Sequence, residues 1–155
     1  MPKRFLIMLF AIATASLWIT PAHEVAHQFV GILAGGIQQG ISLWFDGPIL
    51  VGETLNSLWQ TGGLRELFAV AGPVLLLYIP ACIALWKWST SGLSSLLSAV
   101  LVGQGGFYTA WNLYWGYGDA WVMTELGIPL WALVLLAVVF LFTAARSITR
   151  YLRAG

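Results

Sequence analysis

Charge is what this chain has least of. Seven Lys or Arg and six Asp or Glu among 155 residues make 8% charged, where a soluble domain carries about a quarter. That shortage excludes an ordinary water-facing surface, and the 59% hydrophobic content with a mean hydropathy of +0.84 makes lipid the solvent. There is no basic run and the net charge is +1, so nothing here is built to hold nucleic acid. A single cysteine, Cys82, cannot close an intrachain disulfide; inside an apolar segment it reads as a small hydrophobe. Histidine is equally scarce, and the placement of the only two is informative.

Both histidines fall within five residues, His23-Glu24-Val25-Ala26-His27, inside an apolar run from Phe5 to about Leu33. Positions i and i+4 share a helix face, so the two imidazoles can reach one metal ion with Glu24 beside it. A zinc hydrolase needs that pattern: two neutral nitrogens to hold the metal and a carboxylate to take a proton from water. Ionisable groups at bilayer depth are expensive to keep, which marks them as functional. The plainer reading is two partly buried polar residues near a helix end.

Four charge-poor stretches, residues 5–33, 67–86, 93–115 and 126–145, approach or exceed the ~20 residues that cross a hydrocarbon core. Unsatisfied backbone is not tolerated there, so the expected fold is an all-α membrane protein of about four transmembrane helices forming a single domain over 1–155. Lys3-Arg4, an apolar run and Ala13-Thr14-Ala15 imitate a signal peptide, but the segment reads as a retained first span. With four spans, six of the seven basic residues share one side and only Arg65 lies on the other. The positive-inside rule then places both termini in the cytoplasm and the protein in a cell membrane, multi-pass. His23 is ~27 Å along the first span from Phe5, in the outer half, on the side of Asp119. Pro21, two residues before His23, predicts a kink or a new helical start beside the metal.

Between the first two spans the hydrophobic period changes. Ile41-Ser42-Leu43-Trp44-Phe45, Asp46-Gly47 and Pro48-Ile49-Leu50-Val51 predict a short β-hairpin, with one strand an edge because Pro48 cannot donate to a central ladder. Several of the nine Trp residues flank the apolar runs, as interfacial aromatics do.

A catalytic zinc needs a third protein ligand and an open position for water. Of the remaining carboxylates, Asp46 suits the hairpin turn, while Glu53 and Glu66 suit loop or helix-start positions. Asp119, in Tyr117-Gly118-Asp119-Ala120-Trp121, follows a charge-free span and is the carboxylate placed near the bilayer; a solvated turn aspartate is the equal alternative. Asn112, one to two turns earlier, is a neutral donor able to polarise a carbonyl or anchor a substrate backbone, or else an interhelical hydrogen-bonding group.

In order, these elements resemble the site-2-protease clan of intramembrane zinc metalloproteases. His23-Glu24-Val25-Ala26-His27 with Gly35-Gly36 resembles its first signature and the short β segment after it. Phe68-Ala69-Val70-Ala71-Gly72-Pro73 resembles its Ala-Gly-Pro helix, and Asn112 through Asp119 its asparagine-to-aspartate signature, whose aspartate is the third ligand. Gly118-Asp119-Ala120-Trp121 to Gly127-Ile128-Pro129 is most similar to the shorter bacterial members, which implies a bacterial inner membrane. The likeness covers about residues 20–130. Leu76 stands where the clan often has asparagine, Ala120 where glycine usually follows the aspartate, and no proline follows Asn112. Better-known members place the site towards the cytosol, whereas the charges here favour the opposite side.

The resemblance implies a zinc metalloendopeptidase with His23, His27 and Asp119 on the metal, Glu24 and Asn112 in catalysis, and a membrane-embedded or membrane-proximal protein or peptide as substrate. Two rivals remain: an inactive relative serving as an accessory or assembly subunit of a larger membrane complex, and a membrane subunit binding haem or pigment through a histidine. A final expectation concerns delivery, with the edge of the hairpin beside the zinc pairing with an extended substrate.

Overall fold

The computed structural model describes residues 2–88 and 92–154. Two helices open the chain, α1 (Pro2–Ala13) and α2 (Ala15–Leu33), followed by strands β1 (Gln38–Asp46) and β2 (Ile49–Asn56). Then come α3 (Gly63–Val70), a π-helical turn (Val74–Tyr78), α4 (Ile79–Trp88), α5 (Leu93–Trp115), α6 (Asp119–Glu125) and α7 (Leu130–Arg153). The expected helical protein with one hairpin between its first and second apolar regions is present.

The spans differ from expectation. Among the described residues one helix, α7, is long and apolar enough to cross a membrane, with a mean hydropathy of 2.1. Two further regions qualify only if each bent pair counts as one span, making up to three: α1 with α2, bent by 47°, and α3 with the π turn and α4, bent by 50°. Length and composition thus support one span, or up to three, rather than the four expected. Helix α5 occupies the third expected stretch but falls short of the others, because Ser94, Ser95, Ser98, Gln104, Thr109 and Asn112 interrupt its apolar residues. The fourth stretch begins later than expected, since Gly127 at φ +100 and the extended Pro129 stop α6 before α7 can start.

Each bend has a local cause. The first is at Thr14, whose hydroxyl donates to the Phe10 carbonyl at 2.9 Å, a back-bond that competes with the helix ladder and bends it. Pro21, where irregularity was expected, lies inside the continuous helix α2. The second bend follows Ala71-Gly72-Pro73, where proline removes an amide donor and the chain widens into the π turn.

Close backbone approach holds the helices together. Small residues at the contacts let apolar helices approach closely. A Cβ on Gly72 would stand 2.6 Å from the Ala26 carbonyl oxygen, so only glycine lets the turn after α3 seat against α2. Helices α5 and α7 run antiparallel as the main pair, and Ile19, Tyr78, Leu96, Val102 and Phe140 fill the principal core beside them.

In the hairpin, Asp46 pairs with Ile49 across a two-residue Gly47-Pro48 turn, and Gly47 at φ +59 suits a turn that needs glycine first. Pro48 thus sits in the turn and spares both strands. β2 lies along α2, its Thr54 and Asn56 buried, while β1 is largely exposed.

Candidate metal centre

Helix α2 presents two stripes of period four to two different neighbours. His23 and His27 face the later helices. Ser16, Thr20, Glu24 and Gln28 face the hairpin: Ser16 Oγ accepts from the Leu50 amide (3.2 Å) and Thr20 Oγ1 donates to the Leu50 carbonyl (2.9 Å). Gln28 Nε2 donates to the carbonyls of Gly40 (2.6 Å) and Leu55 (3.2 Å). Glu24 meets Thr54. Four polar residues spaced by four within an apolar run are a sequence sign of a gripped partner, one that the histidine stripe on the adjoining face overshadows.

On the first stripe, His23 Nε2 and His27 Nε2 lie 3.1 Å apart, and Asp119 Oδ2 lies 2.9 Å from the former and 3.1 Å from the latter. The three atoms form a nearly equilateral triangle, and the three residues form a group able to hold a metal ion. A tetrahedral zinc with bonds of about 2.0–2.1 Å has ligand atoms about 3.3 Å apart, so the triangle needs to open by only a few tenths of an ångström. The histidines are buried, while the Asp119 side chain is 27% exposed and leaves the centre open on its own side.

The surroundings orient both rings. His27 Nδ1 lies 2.9 Å from the Ala69 carbonyl, which can only accept, so the proton sits on Nδ1 and Nε2 carries its lone pair. In a neutral His27 the contact with Asp119 is then lone pair against carboxylate, attractive only with a cation between them. His23 Nδ1 lies 2.9 Å from the Tyr78 hydroxyl, which accepts its proton when Nε2 serves a metal. Tyr78 belongs to the π turn, and Gly105 makes its place, since a Cβ there would stand 2.6 Å from the phenol ring. Neither Tyr78 nor the Ala69 carbonyl was foreseen. At 55 and 42 residues from their histidines, only the fold brings them close.

Asp119 opens α6, where a carboxylate suits the helix dipole. Burial alone would raise its carboxyl, but without a metal a charged His27 imidazolium, with hydrogen bonds from His23 and His27, outweighs that and holds it well below the usual carboxylate range. Asn112, fully buried, sits behind it: Oδ1 accepts from the Ala120 amide at 3.4 Å, and its carbonyl accepts from Gly116 and Tyr117. Its Nδ2 makes no well-formed hydrogen bond and lies towards Tyr108, whose ring stands edge-on to His23 at 5.3 Å.

Glu24 is also buried, outside the three-residue group. Thr54 Oγ1 lies 2.7 Å from its Oε2 and 3.0 Å from its main-chain oxygen. Gly52 backs the same side chain, since a Cβ there would fall 2.5 Å from Glu24 Cγ. What lies beside Glu24 is thus the face of β2. Both polar backbone groups of Leu50 bond to α2 rather than to β1, so Leu50 and its partner Phe45 form a non-hydrogen-bonded pair. By alternation, Leu43 and Phe45 turn their amides and carbonyls away from β2. The free edge is that of β1, one strand spacing of about 4.8 Å beyond the position expected.

Of the other carboxylates, Glu66 accepts from the amides of Gln60 (2.7 Å) and Gly62 (2.6 Å) and ties down the loop before α3, as a helix-start charge should. Asp46 ends β1 at the turn. Cys82 is buried with Sγ 3.5 Å from the Thr143 hydroxyl.

No protein-family model matches the chain, and no curated protein or solved structure matches it either.

Proposed function

We propose that this chain is a membrane zinc metalloprotease of the site-2-protease type, acting on membrane-embedded or membrane-proximal peptides. The observation that carries the reading is the meeting of His23 Nε2, His27 Nε2 and Asp119 Oδ2 within 3.1 Å of one another, with Glu24 on the same helix. Two nitrogens and one carboxylate oxygen are the donor set of a catalytic zinc. Zinc held there would supply Lewis acidity towards a peptide carbonyl and make water more acidic. Glu24 accepts the proton of the attacking water on a carboxylate oxygen and returns it to the leaving amine nitrogen. Asp119 balances the charge, the Ala69 carbonyl keeps His27 in the ligating tautomer, and the Tyr78 hydroxyl is placed to accept from His23 Nδ1 in that tautomer. Asn112 holds the Gly116–Ala120 backbone that delivers Asp119; its buried place favours that role over contact with substrate.

A haem or pigment ligand is disfavoured, because Asp119 Oδ2 stands in the approach to both Nε2 atoms. An inactive accessory subunit would keep the zinc and lose dependence on Glu24. The multi-pass topology with cytoplasmic termini draws support from the gathering of positive charge: Arg4 donates to the Tyr151 carbonyl at 2.7 Å, and Arg146 lies over the Trp86 ring beside Lys87. The deciding experiment pairs metal analysis of the purified protein with hydrolysis of a quenched transmembrane peptide. One zinc per chain, with cleavage abolished by Glu24→Gln but zinc retained, is expected. Zinc with no Glu24-dependent cleavage points to the accessory role.

A further inference from the structure

We infer that Thr54 is a positioning residue that fixes the carboxylate of Glu24 through its hydroxyl, making the hairpin a working part of the site. The inference rests on the protease reading of Glu24. Glu24 needs holding: it is a flexible side chain on the α2 stripe that faces the hairpin, and it makes no ion pair among the described residues. Thr54 Oγ1 is 2.7 Å from Glu24 Oε2 and 3.0 Å from the Glu24 carbonyl. One hydroxyl proton serves one strong acceptor at a time, and the carboxylate is the stronger and the nearer. Thr54 is itself buried and rigid. Its backbone is paired with Ile41, its χ1 is restricted by β-branching, and the Trp59 indole donates to its carbonyl.

The rest of the contact limits where the carboxylate can go. Gly52, two residues along the same face of β2, leaves open the space the Glu24 side chain occupies, where a Cβ would fall 2.5 Å from its Cγ. The Trp59 that braces Thr54 also stands edge-on to His27, with ring centroids 5.8 Å apart. One strand therefore reaches the general base through Thr54 and a ligand ring through Trp59.

Two near-isosteric substitutions separate a hydroxyl role from a packing role. Thr54→Val keeps the shape and loses the O–H; Thr54→Ser keeps the O–H and loses the methyl. The full chain, zinc-loaded in phosphatidylcholine–phosphatidylglycerol vesicles, is assayed on an internally quenched peptide with an apolar helical core, beside Glu24→Gln. A misplaced general base costs on the order of 10²-fold, so Thr54→Val is expected to lower kcat by about ten- to a hundredfold with KM and zinc content unchanged. Thr54→Ser is expected to stay within about threefold of wild type. The opposite order, Val active and Ser impaired, overturns the inference, as does equal loss in both. If Glu24→Gln cleaves as well as wild type, the protease reading fails instead. A second measurement needs no turnover: the infrared difference between wild type and Glu24→Gln isolates the Glu24 carboxyl band. That band should shift in Thr54→Val and hold in Thr54→Ser; no shift in Thr54→Val overturns the inference whatever the peptide shows.

Discussion

The Tyr78 hydroxyl and His23 Nδ1 stand 2.9 Å apart, so a residue of the π turn orients the His23 ring and can accept its Nδ1 proton when Nε2 binds metal. Removing the hydroxyl with Tyr78→Phe leaves the ring packing and takes away that partner. Loss of such outer partners weakens metal affinity by about 10- to 100-fold. Chelator competition should report a weakening of that size at unchanged helicity, and an unchanged affinity would show that the phenol only fills space.

Asp119 sets the acid behaviour of the centre. Its folded carboxyl is held below the ordinary value, so its ionised form adds stability that is present above about pH 3.9 and lost as the pH falls through the lower folded value. Zinc binding should therefore fail on acidification through imidazole protonation while the carboxylate is still charged. Zinc release followed against pH in wild type and Asp119→Asn tests this. Wild type should release its zinc above the acid range in which the carboxylate titrates, and Asp119→Asn should hold zinc far more weakly even at neutral pH. Retention in Asp119→Asn equal to wild type would remove Asp119 from the ligand set.

Gly52 should accept nothing larger. An added Cβ would meet Glu24 Cγ at 2.5 Å and Oε1 at 2.9 Å, so Gly52→Ala must move either the strand or the carboxylate. Overpacking of this kind costs roughly 1–3 kcal/mol. Peptide cleavage should fall sharply in Gly52→Ala while zinc content holds, because Glu24 is not among the converging ligand atoms. Full activity would place the working carboxylate elsewhere.

The histidine pair, the distant Asp119 and the hairpin were legible in the sequence for physical reasons. Spacing by four fixes a shared helix face, a carboxylate flanked by glycine and aromatics directly after a charge-free stretch stands out from the others, and alternation around Asp46-Gly47 marks strands. The helix breaks were not legible. Pro21 carries the obvious signal yet lies in a continuous helix, while Thr14 bends the chain through a side-chain bond to Phe10 that composition does not announce. Charge-free stretches of adequate length also concealed the polar interruptions of α5, which is why four spans were expected where one is clear. Tyr78, Ala69 and Thr54 could not be assigned to the site, because each acts through a contact made only by tertiary packing.

Topology is open to direct measurement. In a Cys82→Ala background, single cysteines at Ala154 and at Asp46 should label from opposite faces of the membrane, since the basic residues then gather on the inner side. Labelling of both from one face would mean an odd number of crossings, which the three spans of the two bent pairs and α7 would give, and would remove the shared cytoplasmic side of the termini.

The free edge of β1 carries the last prediction. A substrate helix conceals its peptide groups in its own hydrogen bonds, so cleavage requires local unwinding, and each amide left unpaired at membrane depth costs several kcal/mol. An open strand edge replaces those partners without demanding much sequence. Leu43 and Phe45 turn their amides away from β2, whereas Trp44, between them, turns its own towards the ladder. Proline at Leu43 or Phe45 therefore removes only an outward donor, which an edge strand tolerates, while proline at Trp44 breaks the hairpin itself. Leu43→Pro and Phe45→Pro should cut cleavage of a transmembrane peptide severalfold with zinc content and folding intact, and Trp44→Pro should lose folding as well. The β1 edge lies a strand beyond the face that touches Glu24, so a substrate bound there must cross towards the metal. Cleavage unchanged in both edge variants would show that β1 only covers β2, with delivery taking another route.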